Sequence, residues 1–321
     1  MSILLKILWS KQEQRLRWGW RFLIFVLVIV LSAIPLQFLL VSIFGESDGS
    51  SQAQWLSVLT SGGLIALAIW LCNWLVDRRK SLAKLGLQLS ALWWREFAIG
   101  FFLAVICMAI IFAIEYAFGW LQISAWWTSG AGQDSFAVGF VTAIGLFLMV
   151  GFYEELLFRG YLIKNFAESM RFLKIGNKGA TLIALLVTSL LFGLAHASNP
   201  NANWVSSLNI ALAGLFLGLA YVLTNRLALP IGFHIAWNFF QGNVFGFPVS
   251  GTQAGATVIQ INQGGPTLWT GGAFGPEAGL LSVILVIISC LVVVGYARTR
   301  ANQSLEAVAD FPAVTGETAL R

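Results

Sequence analysis

The sequence predicts an all-α polytopic integral membrane protein, a bundle of about eight transmembrane helices, and three observations carry that reading. Of 321 residues, 58% are hydrophobic and only 10% charged, whereas an ordinary soluble domain carries about 25% charged residues. The apolar residues gather into runs close to the ~20 residues a helix needs to cross the hydrocarbon layer. All 19 Lys and Arg fall in alternate connections or at the helix ends beside them. A soluble core is thereby excluded.

Eight runs can be marked: residues 22–44, 55–76, 97–120, 136 to about 163, 179–197, 204–224, 229–245 and 278–296. Before the first, residues 1–21 mix Trp9, Trp18 and Trp20 with basic side chains, the composition of a short amphipathic anchor at the inner interface. The first run is longer than a signal-peptide core and no A-x-A-like site follows it, so it is expected to stay as a membrane anchor, kinked at Pro35. Ser61, Gly62 and Gly63 in the second run permit close helix contact. The link 77–96, with Leu82, Leu85, Trp93 and Trp94 among polar residues, reads as interfacial. Glu115, near the outer end of the third run, is expected to reach headgroup water. No chemistry is assigned to these first three spans.

The fourth run contains residues 151–160, GFYEELLFRG. Two carboxylates and a guanidinium at membrane depth are a functional-site hypothesis by default, since one charged side chain near the bilayer centre costs roughly 2.5 to 3.5 kcal/mol on insertion scales. On a helix Glu155 and Arg159 share a face at i and i+4, so Arg159 can neutralise Glu155. Glu154 is turned about 100° away and is left for proton chemistry. The fifth run ends at His196. The sixth is rich in small residues and reads as scaffold. The seventh places His234 and Asn238 side by side at i and i+4. These are the only two histidines in the chain. Residues 246–277 form a long Gly-rich outer loop, and the tail from Ala301 is polar.

By the positive-inside rule both termini are cytoplasmic, in a multi-pass protein of the cell membrane. The formal charge of +5 is then a topology signal and an attraction to anionic lipid, with no nucleic-acid partner implied. Cys72, Cys107 and Cys290 all fall within spans without paired spacing and read as buried apolar thiols.

Glu154, Glu155 and Arg159, then Phe192 and His196, then His234 and Asn238 resemble, in order, the three motifs of the CPBP family: CAAX prenyl endopeptidases and bacteriocin-processing enzymes, also called the Abi family. The resemblance covers about residues 136–245 and divides the chain into an N-terminal part (1–135, the interfacial segment and three helices), a CPBP-like core (136–245), and an outer loop, last helix and tail (246–321). It implies an intramembrane endopeptidase acting on a membrane-associated protein or peptide within the lipid bilayer. The family's functional residues map onto Glu154, Glu155, Arg159, His196, His234 and Asn238. Amide hydrolysis needs an activated water, a stabilised oxyanion and an acid for the leaving amine. On this reading Glu154 with His196 polarises the water, His234 and Asn238 donate to the oxyanion, and Glu155 with Arg159 holds the helix in register.

Cofactor use stays open between none and Zn. His196 and His234 with a glutamate would be a thermolysin-like ligand set, but the H-E-x-x-H helix of such sites is missing from the sequence. The competing functions are a proton-coupled transporter and a non-catalytic scaffold or immunity protein of the same fold. Hydropathy alone also places Glu154 and His196 toward opposite membrane faces. The catalytic reading therefore requires the fourth helix to run past Arg159 toward Phe166, or the fifth to be displaced outward.

Overall fold

A computed structural model describes residues 9–10, 15–44, 51–77, 81–129, 135–170 and 175–300. Lys6, Lys11, Arg78, Arg79, Lys80, Arg171, Lys174, Arg321 and the tail from Ala301 lie outside the described residues. In chain order come two short strands, β1 Trp9–Ser10 and β2 Arg15–Leu16, then α1 Trp18–Phe44, α2 Ser51–Leu71 with a π-helical end Cys72–Val76, and α3 Ala91–Ala117. Strand β3 Leu121–Thr128 leads into α4 Phe136–Glu155, which continues through a π-helical stretch Leu156–Ile163 into Lys164–Ser169. Helices α5 Gly176–Ala195, α6 Trp204–Thr224 and α7 Ala228–Phe239 follow, then strand β4 Thr257–Gln263 and α8 Leu280–Thr299.

The protein is a helical membrane bundle. Among the described residues six helices are long and apolar enough to cross a membrane, so the expected count of eight is not confirmed. One expected span falls short for a physical reason. Helix α7 has 12 residues, and every one from Ala228 to Asn238 is buried, which makes it a core helix wrapped by its neighbours.

Helix starts are written locally. Ser90 accepts a hydrogen bond from the backbone N–H of Trp93 at 3.2 Å to open α3, and Ser135 does the same for Val138 at 3.3 Å to open α4. Asn203 and Ser206 form a reciprocal capping box on α6. Helices α3 and α7 cross where two glycines meet backbone: a Cβ on Gly100 would strike the Leu229 carbonyl, and one on Gly232 would strike the Phe97 carbonyl. Only hydrogen fits on either side of this contact.

Three sequence expectations are corrected. The described end of the N-terminal basic segment is docked: Arg15 donates to the Asp77 carbonyl at 2.9 Å and pairs with Glu168 at 2.8 Å, while Arg21 pairs with the Asp77 carboxylate, and both arginines are buried. The link before α3 keeps Leu89 and Trp94 exposed, while Leu85 and Trp93 pack inward and the Trp93 indole donates to the Gly86 carbonyl. Burial of these groups reflects the pairing that charges require once water is removed. Glu115 does not reach water; it is fully buried and accepts from the Gln263 side chain at 2.8 Å. That partner comes from β4, which pairs antiparallel with β3 (Leu121 opposite Gln263, Thr128 opposite Thr257) and is a departure from an all-helical chain.

Candidate active site

The site is built where α4, α5, α6 and α7 converge. The fourth helix and its continuation form one rod of 34 residues, Phe136–Ser169, ~50 Å at about 1.5 Å per residue. Its extension past Arg159 sets Glu154 near the middle of the rod. Glu154 and His196 consequently line one cavity of about 720 Å³, together with His234 and Asn238. The lengthened helix is the first of the two shifts the sequence required.

Glu155 and Arg159 form the expected ion pair at 2.6 Å, with both side chains buried. The arginine also donates to the Gly214 carbonyl at 3.3 Å and lies 4.2 Å above the Phe192 ring centroid. A second partner was not anticipated: His234 Nδ1 lies 2.8 Å from the same Glu155 oxygen. A carboxylate accepts, so this nitrogen carries a proton, and in the neutral form of the ring Nε2 is an acceptor. That Nε2 faces Glu154 Oε2 at 3.8 Å. The imidazole turned toward Glu154 is therefore that of His234. Glu155 does more than hold a helix in register; it fixes the tautomer and tilt of His234.

His196 closes α5 and turns Nδ1 onto the Phe192 carbonyl at 2.8 Å. A carbonyl can only accept, so His196 also carries its proton on Nδ1, and Nε2 on the opposite edge is what remains for the cavity. Phe192 packs edge-on against His196 at 4.8 Å and against His234 at 6.0 Å between centroids, and so spaces the two rings. Glu154 Oε1 accepts a long hydrogen bond of 3.5 Å from Tyr153, while Oε2 is buried with no hydrogen-bond partner among the described residues. Asn238 is buried one turn beyond His234 on the same cavity. Part of the remaining wall is apolar, with Leu146 and Val150 of α4, Leu212 and Leu217 of α6, and Val283 and Val286 of α8.

The zinc reading was tested on this geometry. Among the described residues no group of three His, Cys, Asp or Glu side chains is placed to hold a metal ion. The set of His196 and His234 with a glutamate is not grouped as the ligands of one ion would be.

Several residues on the cavity escaped the sequence reading: Asn199 in the turn after His196, Asn209 on α6, Tyr153, and Glu277 in a 3₁₀ turn Pro276–Ala278 just before α8. Asn209 Nδ2 is buried without a hydrogen-bond partner among the described residues. Glu277 lies outside the family motifs, but it is the one ionisable side chain in the outer loop 246–277, and that isolation was a usable signal. Burial pushes its carboxyl above the usual carboxylate range, and hydrogen bonds from Ser250 and the nearness of His196 pull it back.

Residues 136–240 match the family model "Rce1-like: Type II CAAX prenyl endopeptidase Rce1-like". No curated relative and no solved structure matches the chain. The matched residues hold all three motifs and the four helices that bring them to one cavity. The chain is thus a multi-pass membrane protein in which residues 136–240, about a third of its length, are similar to type II CAAX prenyl endopeptidases.

Proposed function

We propose that the protein is an endopeptidase that hydrolyses a peptide bond of a membrane-associated protein or peptide, of the prenylated CAAX or leader-peptide class, with Glu154 as general base. The observation that carries this is the pairing of the partnerless Glu154 Oε2 with His234 Nε2 across 3.8 Å on the wall of the cavity. A carboxylate oxygen and a bare imidazole nitrogen have nothing to give each other. Both are acceptors, and a water molecule offers two protons.

In this reading a water donates one hydrogen to Glu154 Oε2 and the other to His234 Nε2. Glu154 takes its proton as the water oxygen bonds to the scissile carbonyl carbon, whose π electrons move onto oxygen. The Asn238 amide donates to that oxyanion, and His196 lines the cavity beside it. Collapse breaks the C–N bond, and Glu154 returns the proton to the leaving nitrogen. The apolar wall suits a substrate that arrives with a lipid or an apolar segment.

The purified protein in detergent or lipid is expected to cleave such a substrate. Glu154→Gln should lower the rate by ~10²- to 10⁴-fold, and His196→Ala or Asn238→Ala by ~10²- to 10³-fold, with insertion and folding intact. Proteomic comparison of membranes carrying wild type and Glu154→Gln identifies the substrate. Identical cleavage patterns in the two would replace this reading with a scaffold of the same fold.

A further inference from the structure

The end of the cavity lined by the loop 249–256 carries a carboxylate with no cation to answer it. Glu277, in the turn Pro276–Ala278, accepts the Ser250 backbone N–H at 2.5 Å and the Ser250 hydroxyl at 3.1 Å to each oxygen, and the Gln241 amide lies beside it. All of these donors are uncharged. Ser250 is itself anchored, its carbonyl accepting from Asn199 at 3.2 Å, so the carboxylate is held in a fixed place on the wall. No Lys or Arg is among the lining residues, and among the described residues no cationic side chain lies within ion-pair distance of Glu277. Arg159 is spent on Glu155 and the Gly214 carbonyl. Of the two imidazoles on the wall, His234 bonds Glu155 and His196 bonds a backbone carbonyl.

A second group at this end is also short of a partner. Asn243, in the π-helical stretch Phe240–Val244 that follows α7, is only 2% exposed and lines the same cavity. Its Nδ2 donates to the Ala256 carbonyl at 2.6 Å, which orients the amide, while Oδ1 is buried with no hydrogen-bond partner among the described residues. A buried acceptor left unpaired is costly, so its place on a cavity wall points to a donor supplied from outside. Glu277 and Asn243 grip the loop at Ser250 and at Ala256, and Thr252 and Gln253 between them are exposed. The loop is thus pinned at both acceptors, with a polar rim between.

We propose that this end of the cavity is a subsite for a basic residue of the substrate: the Glu277 carboxylate pairs with a lysine ammonium or an arginine guanidinium, and Asn243 Oδ1 supplies a further acceptor for its N–H groups. The inference rests on the peptidase reading and adds to it the charge of the chain that is cleaved. Both cations are donors only, which is the chemistry that a carboxylate and an unpaired amide oxygen can use. With Glu154 and Glu277 as the lining carboxylates and no Lys or Arg beside them, a basic residue is attracted and an acidic one repelled. Because Ser250 already holds the carboxylate, little order has to be created on binding.

The test uses the full-length protein in detergent and an internally quenched, lipid-anchored peptide in which each residue in turn is set to lysine, norleucine or glutamate. At one position lysine should exceed norleucine, its uncharged counterpart, by ~10- to 100-fold in kcat/KM, the discrimination that a hydrogen bond to a charged group provides, with glutamate lowest. Glu277→Gln should bring the lysine-to-norleucine ratio close to one, and Glu277→Lys should make glutamate the preferred residue. A wild type without lysine preference at any position overturns the subsite, as does a ratio unchanged in Glu277→Gln; the wild-type scan decides even where a Glu277 variant fails to fold. Binding of the same peptides to Glu154→Gln, read by fluorescence anisotropy, reports the preference without cleavage. If the lysine peptide binds more tightly there while neither wild type nor Glu154→Gln cleaves any peptide, the subsite stands and the peptidase reading fails. Equal binding of the three peptides removes the subsite, and cleavage by wild type alone would then leave the peptidase reading standing without it.

Discussion

Glu155 serves two masters, Arg159 and His234, and its substitution should reveal both. Glu155→Gln leaves a buried arginine without its anion, a change that commonly costs about 3 to 5 kcal/mol, and it also releases the ring of His234. Adding Arg159→Met should recover much of the thermal stability in detergent, because the uncompensated charge is gone. Activity should stay low in the double variant, since His234 has lost the acceptor that fixes its tautomer. Recovery of both stability and activity together would mean that Glu155 has no hold on His234. The ion pair was legible from the i, i+4 spacing; the histidine contact was not, because it joins residues 79 apart and no local rule connects them. Glu277 was missed for the same reason, being brought in from the turn before α8.

At the scale of elements, the position of α7 decides whether His234 and Asn238 reach the cavity, and α7 is held by backbone contact with α3 and by Gly151 of α4. A Cβ on Gly151 would lie 2.6 Å from Ile235 Cγ1. Gly232→Ala should therefore push α7 off α3 and cost ~1 to 3 kcal/mol, the range for overpacking a core, with a loss of activity larger than the loss of stability. Gly63→Ala, where a Cβ meets nothing within 4 Å, is the matched control and should be silent in both assays. Equal behaviour of the two variants would show that the crossing is not what positions the site. Long helices could be read from hydropathy because lipid-facing residues such as Phe102, Leu182 and Leu291 make each run apolar on its outer side. Helix α7 looked like one more span since total burial produces the same apolar composition at half the length. The strands β3 and β4 left little trace, as their pairing partners lie far apart in the chain.

For the whole molecule, the distribution of charge predicts orientation. A reporter fused at Gly264, next to β4, should read as external, and one at Arg226 as cytoplasmic, because the basic residues gather on a single side. The opposite pattern would invert the bundle and place the mouth of the loop region on the inner side. Within the described residues the basic side is also where the ion pairs concentrate: fully buried Glu96 accepts from Arg226 at 2.5 and 2.9 Å, from Arg300 at 2.6 Å and from Tyr296 at 3.2 Å, which ties α3 to the α6–α7 turn and to the end of α8. Residues counted at the outset as topology signals are thus structural fastenings too, a dual use that a charge count cannot disclose.

The ladder of β3 and β4 joins the chain just before and just after the family core, so that residues between Thr128 and Thr257 form a closed loop with the ladder as its neck. The two ends of the chain leave this neck from the same rung, Leu121 opposite Gln263. A force applied across that rung peels the hydrogen bonds apart one after another, in the manner of a zipper, whereas shear would load them all at once. Pulling on the chain ends should therefore load α3 and α8 before this neck opens, and α8 already carries Val283 and Val286 of the cavity wall.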